Sequence, residues 1–482
     1  GEADMVLIDR GPYRRASLRR YISQMSKPDP RGLFDGYVAK VLEDQGFSWE
    51  ENPRSVYEPE QLYTALERYA TDWRKFEFLD EFMEQGFRMA YKIFAKPRGI
   101  KPFSILEGQD LLRSIKMEKS SGLPLMTSKE KSLMYSLDRE IQVRQGMKAP
   151  NPCVAYKRTQ KNNKTRLVWG YPLEMTLMEA RFARPLIDYF KKSRTPMAFG
   201  KTKLELGARI SRYFEDAPGT TVCLDFSKFD STISATMINQ AFRILSTWFS
   251  SEDLEEYGWK TIVQYFITTP IVMPDGHLYT GKNHGVPSGS YFTQLIDSVV
   301  NVAMMYALQY SLGMYFRPEA LLVLGDDVIV QVRSNVDIQS YSDYLSKCGL
   351  VLHGPEKTVV GVPHFLGADW FRGKPHRSVN ELVDNAVFPE SFRNYHGNMV
   401  SGVRSVLRSY ASAYIEGWKL VPTKGRLPSQ SMKWIDYPHD ESSDKDPTFM
   451  SGSDRFFAEE MIRHTGSQSL LSDPTLSLRI LL

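Results

Sequence analysis

Leu321-Leu322-Val323-Leu324-Gly325-Asp326-Asp327-Val328-Ile329-Val330-Gln331-Val332 is the stretch on which the fold turns. Two β-prone apolar runs flank a short polar break, which predicts a hairpin. Its tip then carries two adjacent carboxylates. Like charges side by side repel, and a cation beside them relieves the cost. Hard carboxylate oxygens suit Mg²⁺ or Mn²⁺, ions that also bind substrate phosphates. Gly-Asp-Asp is equally ordinary turn chemistry, so the rest of the chain has to choose.

Upstream, Thr220-Thr221-Val222-Cys223-Leu224 reads as a strand that ends at Asp225, followed by Phe226-Ser227-Lys228-Phe229-Asp230. Asp225 at a strand end and Asp326 on a turn could together hold two cations roughly 3.5–4 Å apart, the spacing used for in-line phosphoryl transfer. Asp230 has a plainer alternative, the N-cap of a helix starting near Ser231.

Gly285-Val286-Pro287-Ser288-Gly289-Ser290 is a loop signal running into a helix. That helix repeats Phe292, Leu295, Ile296, Val299, Ala303 and Ala307 at 3- and 4-residue steps. Thr293, Asp297 and Asn301 form a polar stripe along it. Solvent is one partner for such a stripe and a sugar or base is the other. Elsewhere, residues 58–95 are expected to be helical, with Leu62, Leu66, Tyr69, Trp73 and Phe76 on one face. A further helix is expected over 173–192, entered after Pro172.

Tyr156 to Arg166 is strongly basic. If Lys164 to Val168 is extended, Lys164 and Arg166 face one side, a pair suited to a triphosphate or simply to a surface loop. Lys119-Ser120-Ser121-Gly122-Leu123-Pro124 is a turn that could let a nucleic-acid backbone approach. Lys357 stands near a turn, and His364-Phe365-Leu366-Gly367-Ala368-Asp369-Trp370 reads as a second hairpin.

The 482-residue chain has an ordinary globular composition and a net charge of only +4, which permits nucleic-acid binding through patches without demanding it. Its longest apolar candidate, Leu295–Leu308, is interrupted by Asp297, Ser298 and Asn301, so no membrane span is expected. The N-terminus lacks a signal-peptide pattern. Cys153, Cys223 and Cys348 are an odd count without metal-ligand spacing, which points to reduced thiols. Strands and helices interleave irregularly, so the fold class is α+β rather than a doubly wound sheet.

Taken in order, these segments resemble viral RNA-dependent RNA polymerases, most closely those of small double-stranded RNA viruses of the partitivirus and picobirnavirus type. The resemblance spans roughly residues 115–371 and implies a right-hand fold with fingers, a palm of antiparallel sheet and flanking helices, and a thumb. It implies an N-terminal region and fingers over 1–172, palm over 173–245 and 285–375, a fingers insertion over 246–284, and thumb and tail over 376–482. Ser120, Ser121, Gly122 and Pro124 match the template-admitting motif. Lys157, Lys164 and Arg166 match the nucleotide channel. Asp225 matches the first palm metal ligand and Asp230 its ribose-facing partner. Ser288, Gly289 and Thr293 match the second palm motif, Asp326 and Asp327 the catalytic turn, Lys357 the proposed general acid, and Phe365, Leu366 and Gly367 the primer-gripping hairpin.

One position departs from many relatives. Asp297 stands where an asparagine would sense the ribose 2′-hydroxyl, which sets two carboxylates, Asp230 and Asp297, near one ribose. Either one carboxyl has a raised pKa, or the hydroxyl donates to one while a neighbour such as Thr293 satisfies the other. Asn301 is the spare candidate for that contact. The resemblance further implies Mg²⁺, with Mn²⁺ as the alternative ion, and as partners RNA template and product, ribonucleoside triphosphates and a viral capsid protein. It implies work in the virion interior and host cytoplasm. Arg393, Arg404, Arg408, Lys419, Lys424, Arg426 and Lys433 would line a product channel. A reverse transcriptase and an RNA-binding scaffold are the competing readings.

Overall fold

The computed structural model describes residues 4–44, 47–353, 358–376, 379–391 and 434–435. Within them the chain divides into two compact units. The first takes residues up to Lys27, Pro59–Lys157 and Leu167–Leu366; the second takes Pro28–Glu58, Arg158–Arg166 and the residues from Gly367 onward.

The central sheet of the first unit has four strands in the order β10 (Val359–Val360), β5 (Thr220–Leu224), β9 (Asp327–Val332) and β8 (Phe316–Leu324), antiparallel throughout. The expected hairpin is β8–β9, with Leu324 paired to Asp327. Leu321, Leu322, Val323, Val328, Ile329, Val330 and Val332 are all buried. That is why the two runs are continuously apolar instead of alternating: both faces of the sheet are covered.

One cover is the Thr293–Leu312 helix, buried without a break from Leu295 to Leu308. It packs on the Glu81–Phe94 and Ala235–Ser246 helices. A β-carbon on Gly86 would stand 2.1 Å from the Ala303 carbonyl oxygen, so these two helices meet backbone to backbone. The stretch expected to be one helix over 58–95 is broken. A Glu60–Tyr69 helix buries Leu62, Leu66 and Tyr69, and a second helix begins at Glu81. Between them the Asp72 carboxylate turns the chain by accepting from the Arg74 N–H, and Asp80 caps the new helix at Met83.

A second sheet of this unit has the order β1 (Ile8–Pro12), β7 (His277–Thr280), β6 (Ile271–Val272), β3 (Cys153–Gln160) and β4 (Lys164–Gly170). The tip of the β3–β4 hairpin, Arg158–Arg166, belongs to the second unit. The Leu173–Lys192 helix follows Pro172 as expected. The strand β11 (His364–Phe365) closes the unit.

In the second unit β2 (Gly32–Leu33) runs parallel to β14 (Trp434–Ile435), and β12 (Ala368–Phe371) pairs antiparallel with β13 (Lys374–His376). Arg54 ties the chain after the Val379–Val387 helix by donating to the carbonyls of Asn385 and Phe388. Arg158 pairs with Glu390 at 3.1 Å.

Candidate active site

The β8–β9 connection is a two-residue turn, Gly325–Asp326, with a positive φ of 61° at Gly325 and none at Asp326. That is the type II′ pattern, whose first central position favours glycine. The two carboxylates are therefore not equivalent. Asp326 is exposed at the tip, whereas Asp327 is the first residue of β9 and half-buried. β5 pairs with β9 up to Leu224 and Val328. Continued by one residue, that register sets Asp225 opposite Asp327, so three carboxylates gather at one end of the sheet. Asp225 is exposed; its carbonyl accepts the His353 N–H, and its carboxylate lies 3.9 Å from His353 Nε2.

Burial, aided by the charges of Asp326 and Asp225, pushes the Asp327 carboxyl up to about 6, against the pull of the Leu366 N–H that donates to its Oδ2 at 2.8 Å. A cation among these groups would relieve that repulsion. Among the described residues no three His, Cys, Asp or Glu side chains already close around one point. The donors are all hard oxygens, which fits Mg²⁺ or Mn²⁺ completing its shell with water and substrate phosphate. Asp225, Asp326 and Asp327 would hold it.

Asp230 lies inside the short Phe229–Thr232 helix and does not cap it; that place falls to Lys228, with φ at 52°. Asp230 meets Asp297, which is buried at 4% exposure. Burial first, then the charge of Asp230 and its hydrogen bond, hold the Asp297 carboxyl well above its ordinary range. This direction agrees with the raised pKa, one of the two options posed by the sequence. Asp297 Oδ1 has no hydrogen-bond partner among the described residues. Asn301, the spare ribose candidate, is instead fully buried and donates to the Gly325 carbonyl at 2.9 Å.

The loop before the Thr293–Leu312 helix is tightly built. Gly289 has φ at 126°, and a β-carbon there would stand 2.0 Å from the Trp169 carbonyl oxygen. Ser288 returns the contact: its carbonyl accepts from the Trp169 N–H at 2.8 Å and its hydroxyl donates to Leu167 at 3.1 Å. Thr293 Oγ1 bonds back to the carbonyls of Pro287 and Ser290. Two buried residues not singled out from the sequence brace the loop. Glu179, pushed up to about 8 by burial, accepts from Ser290 Oγ and the Tyr291 N–H. Lys282 donates to the carbonyls of Phe266, Ile267 and Gly285, and burial holds its pKa well below the usual lysine range. For Glu179 the sequence signal was a charge between Met178 and Ala180; Lys282, among Thr280, Gly281, Asn283 and His284, carried none.

The other expected positions fall in several places. Ser120 is exposed, but Ser121, Gly122 and Pro124 are buried. The bare Cα of Gly122 admits the Tyr171 carbonyl, 2.9 Å from where a β-carbon would sit. Lys157 is exposed in the first unit; Lys164 and Arg166 are exposed in the second. Phe365 is fully buried, so it anchors β11, while Leu366 contributes its N–H to Asp327. Gly367, with φ at 73°, begins the last stretch of the second unit. Lys357, the seven thumb cations and the C-terminal tail lie outside the described residues.

The sequence model of the family described as viral RNA-dependent RNA polymerase matches residues 48–383. The RNA-directed RNA polymerase of Cryptosporidium parvum virus 1 is 26% identical over 337 residues, covering 66% of this chain and 62% of that one. That of White clover cryptic virus 1 is 24% identical over 217 residues, covering 38% and 34%. The match thus spans less than two thirds of these relatives' own lengths. In fold, the chain is similar to the crystal structure of the RNA-dependent RNA polymerase of a human picobirnavirus, with a TM-score of 0.66 at 16% identity over 95% of this chain and 88% of that one. With the family model covering more than half of its length, this chain belongs to the viral RNA-dependent RNA polymerase family.

Proposed function

We propose that the chain synthesises RNA on an RNA template from ribonucleoside triphosphates, serving viral genome replication and transcription. The observation that carries this reading is the gathering of Asp225, Asp326 and Asp327 at one end of an antiparallel sheet. Asp225 and Asp326 are exposed to solvent, whereas Asp327 gives one oxygen to the Leu366 N–H and takes the supporting role. Bound Mg²⁺, or Mn²⁺, would lower the pKa of the attacking 3′-hydroxyl and steady the leaving pyrophosphate.

The remaining roles belong to the chain itself. Asp230 and Asp297 would face the ribose: with the Asp297 carboxyl held above its ordinary range, a protonated acid would donate and its partner accept from the 2′-hydroxyl. Ser288, Gly289 and Thr293 would hold template and nucleotide on a loop stiffened by Glu179 and Lys282. The family resemblance assigns triphosphate neutralisation to Lys157, Lys164 and Arg166, proton donation to Lys357, and primer support to the segment from Phe365 to Gly367. Ser120 is the exposed member of the template-admitting segment, with Ser121, Gly122 and Pro124 supporting it. Fingers, palm and thumb would follow the boundaries drawn from the sequence.

Among the described residues no helix is long and apolar enough to cross a membrane. A capsid protein as partner, and work in the virion interior and host cytoplasm, accompany this reading. The test is incorporation with template and substrate exchanged. An RNA template with ribonucleotides should support synthesis; a DNA template or deoxyribonucleotides should support it poorly. Efficient deoxyribonucleotide synthesis would favour a reverse transcriptase, and RNA binding without incorporation would favour a scaffold.

A further inference from the structure

Gly325 is gripped on both sides of its residue by one helix. Ser298 Oγ accepts the Gly325 N–H at 3.2 Å, and Asn301 Nδ2 donates to the Gly325 carbonyl at 2.9 Å. Ser298 and Asn301 are three residues apart, hence on one face of the Thr293–Leu312 helix. Both are fully buried. The direction of the Asn301 amide is dictated: turned over, it would set one oxygen against another, and its Oδ1 has no hydrogen-bond partner among the described residues.

A two-residue hairpin closes through its own strand pairing and needs no such side chains. The grip therefore does something beyond closing β8 onto β9. The helix that supplies it is a rigid reference, buried all round and locked at Ala303 against Gly86. A side chain at Gly325 would also crowd this helix: Gln294 Oε1 lies 3.0 Å from where its β-carbon would stand. Asp326, the next residue, is exposed, and the turn that carries it is held from behind. The same helix carries Asp297, so one element fixes both the acid pair and the metal-facing turn.

We propose that Ser298 and Asn301 are positioning residues which, by holding both peptide groups of Gly325, aim the Asp326 carboxylate at the position a bound Mg²⁺ would take. This rests on the functional reading above. Partners behind metal ligands typically cost about 10–100-fold in activity or metal affinity when removed.

The test compares full-length wild type with Ser298→Ala, which removes one oxygen, and Asn301→Leu, which keeps the volume. Two measurements are made on each. The first is hydrogen exchange at the Gly325 amide in metal-free buffer. For Ser298→Ala it should speed up about 5- to 10-fold, the value of one hydrogen bond, while Ile329 and Val330 keep their protection. The second is single-turnover incorporation against Mg²⁺ and nucleotide concentration. The rate should fall about 10–100-fold and half-saturating Mg²⁺ should rise, with nucleotide KM within about twofold of wild type. Unchanged Gly325 exchange, or faster exchange with unchanged rate and Mg²⁺ dependence, overturns the proposal. So does a rate loss matched by loosening of the whole sheet. A wild type that incorporates nothing overturns the functional reading instead, and the exchange result then judges the grip on Gly325 alone.

Discussion

Replacing Asp327 with asparagine should make the metal-free protein more stable. In the fold this carboxyl is raised from 3.8 to about 6, by burial first and then by Asp326 and Asp225. A shift of that size corresponds to roughly 3 kcal/mol of preference for the neutral form. A raised carboxyl binds its proton more tightly folded than unfolded. Its favourable contribution is complete below about pH 4 and is lost as pH rises through about 6. Asparagine copies the neutral form in the same volume and keeps an oxygen for the Leu366 N–H. Asp327→Asn should therefore match wild type near pH 4 and exceed it by about 2–3 kcal/mol at pH 7.5. The assay is urea unfolding across that pH range with a chelator present. Adding Mg²⁺ at about 100 times its dissociation constant should return about 2.7 kcal/mol to wild type and less to the variant, closing the gap. A variant less stable than wild type at pH 7.5 without metal, or an advantage that does not change with pH, would refute the reasoning.

Three further outcomes are expected. Gly289→Ala should cost roughly 3 kcal/mol or more, because a β-carbon 2.0 Å from the Trp169 carbonyl adds to a backbone already at φ 126°; thermal unfolding reads this, and near-wild-type stability would contradict it. Lys282→Met should cost about 3 kcal/mol, since three carbonyls lose a charged donor inside the core; an unchanged urea midpoint would show that the carbonyls need no cation. Asp297→Ala should lower the ratio of ribo- to deoxyribonucleotide incorporation about tenfold, the worth of one hydrogen bond to a charged group; an unchanged ratio would make Asp297 structural.

The carboxylate-bearing parts were legible because their signals are local. A continuous apolar run, a two-residue break and a second run describe a buried hairpin whatever lies around it. A β-prone run ending in Asp225 is equally self-contained, as is a glycine loop entering a periodic helix. The residues that organise the site were not legible, because their roles depend on what the fold brings against them. Ser298 looks like any small polar residue on a helix until Gly325, 27 residues away, is set beside it. Glu179 and Lys282 look like surface charges until each is found buried against the Ser288–Ser290 loop or its approach. The helix expected across residues 70–80 failed for a related reason. Its apolar spacing persisted through Trp73 and Phe76, but Asp72 and Asp80 spend their carboxylates on backbone N–H groups and break the chain there. Gly122 and Phe365 show the same limit from the other side. Each packs into this chain's own core, a burial that no local signal in the sequence announces.

The central claim is that the carboxylates of the Gly325–Asp326 turn and of Asp225 perform template-directed nucleotidyl transfer. Its most direct test is incorporation of labelled ribonucleotides on an RNA template with Mg²⁺, using wild type beside Asp326→Asn. Asparagine keeps the shape of the exposed tip, so folding and RNA binding should persist while incorporation falls to background. Synthesis by Asp326→Asn at the wild-type rate would contradict the account.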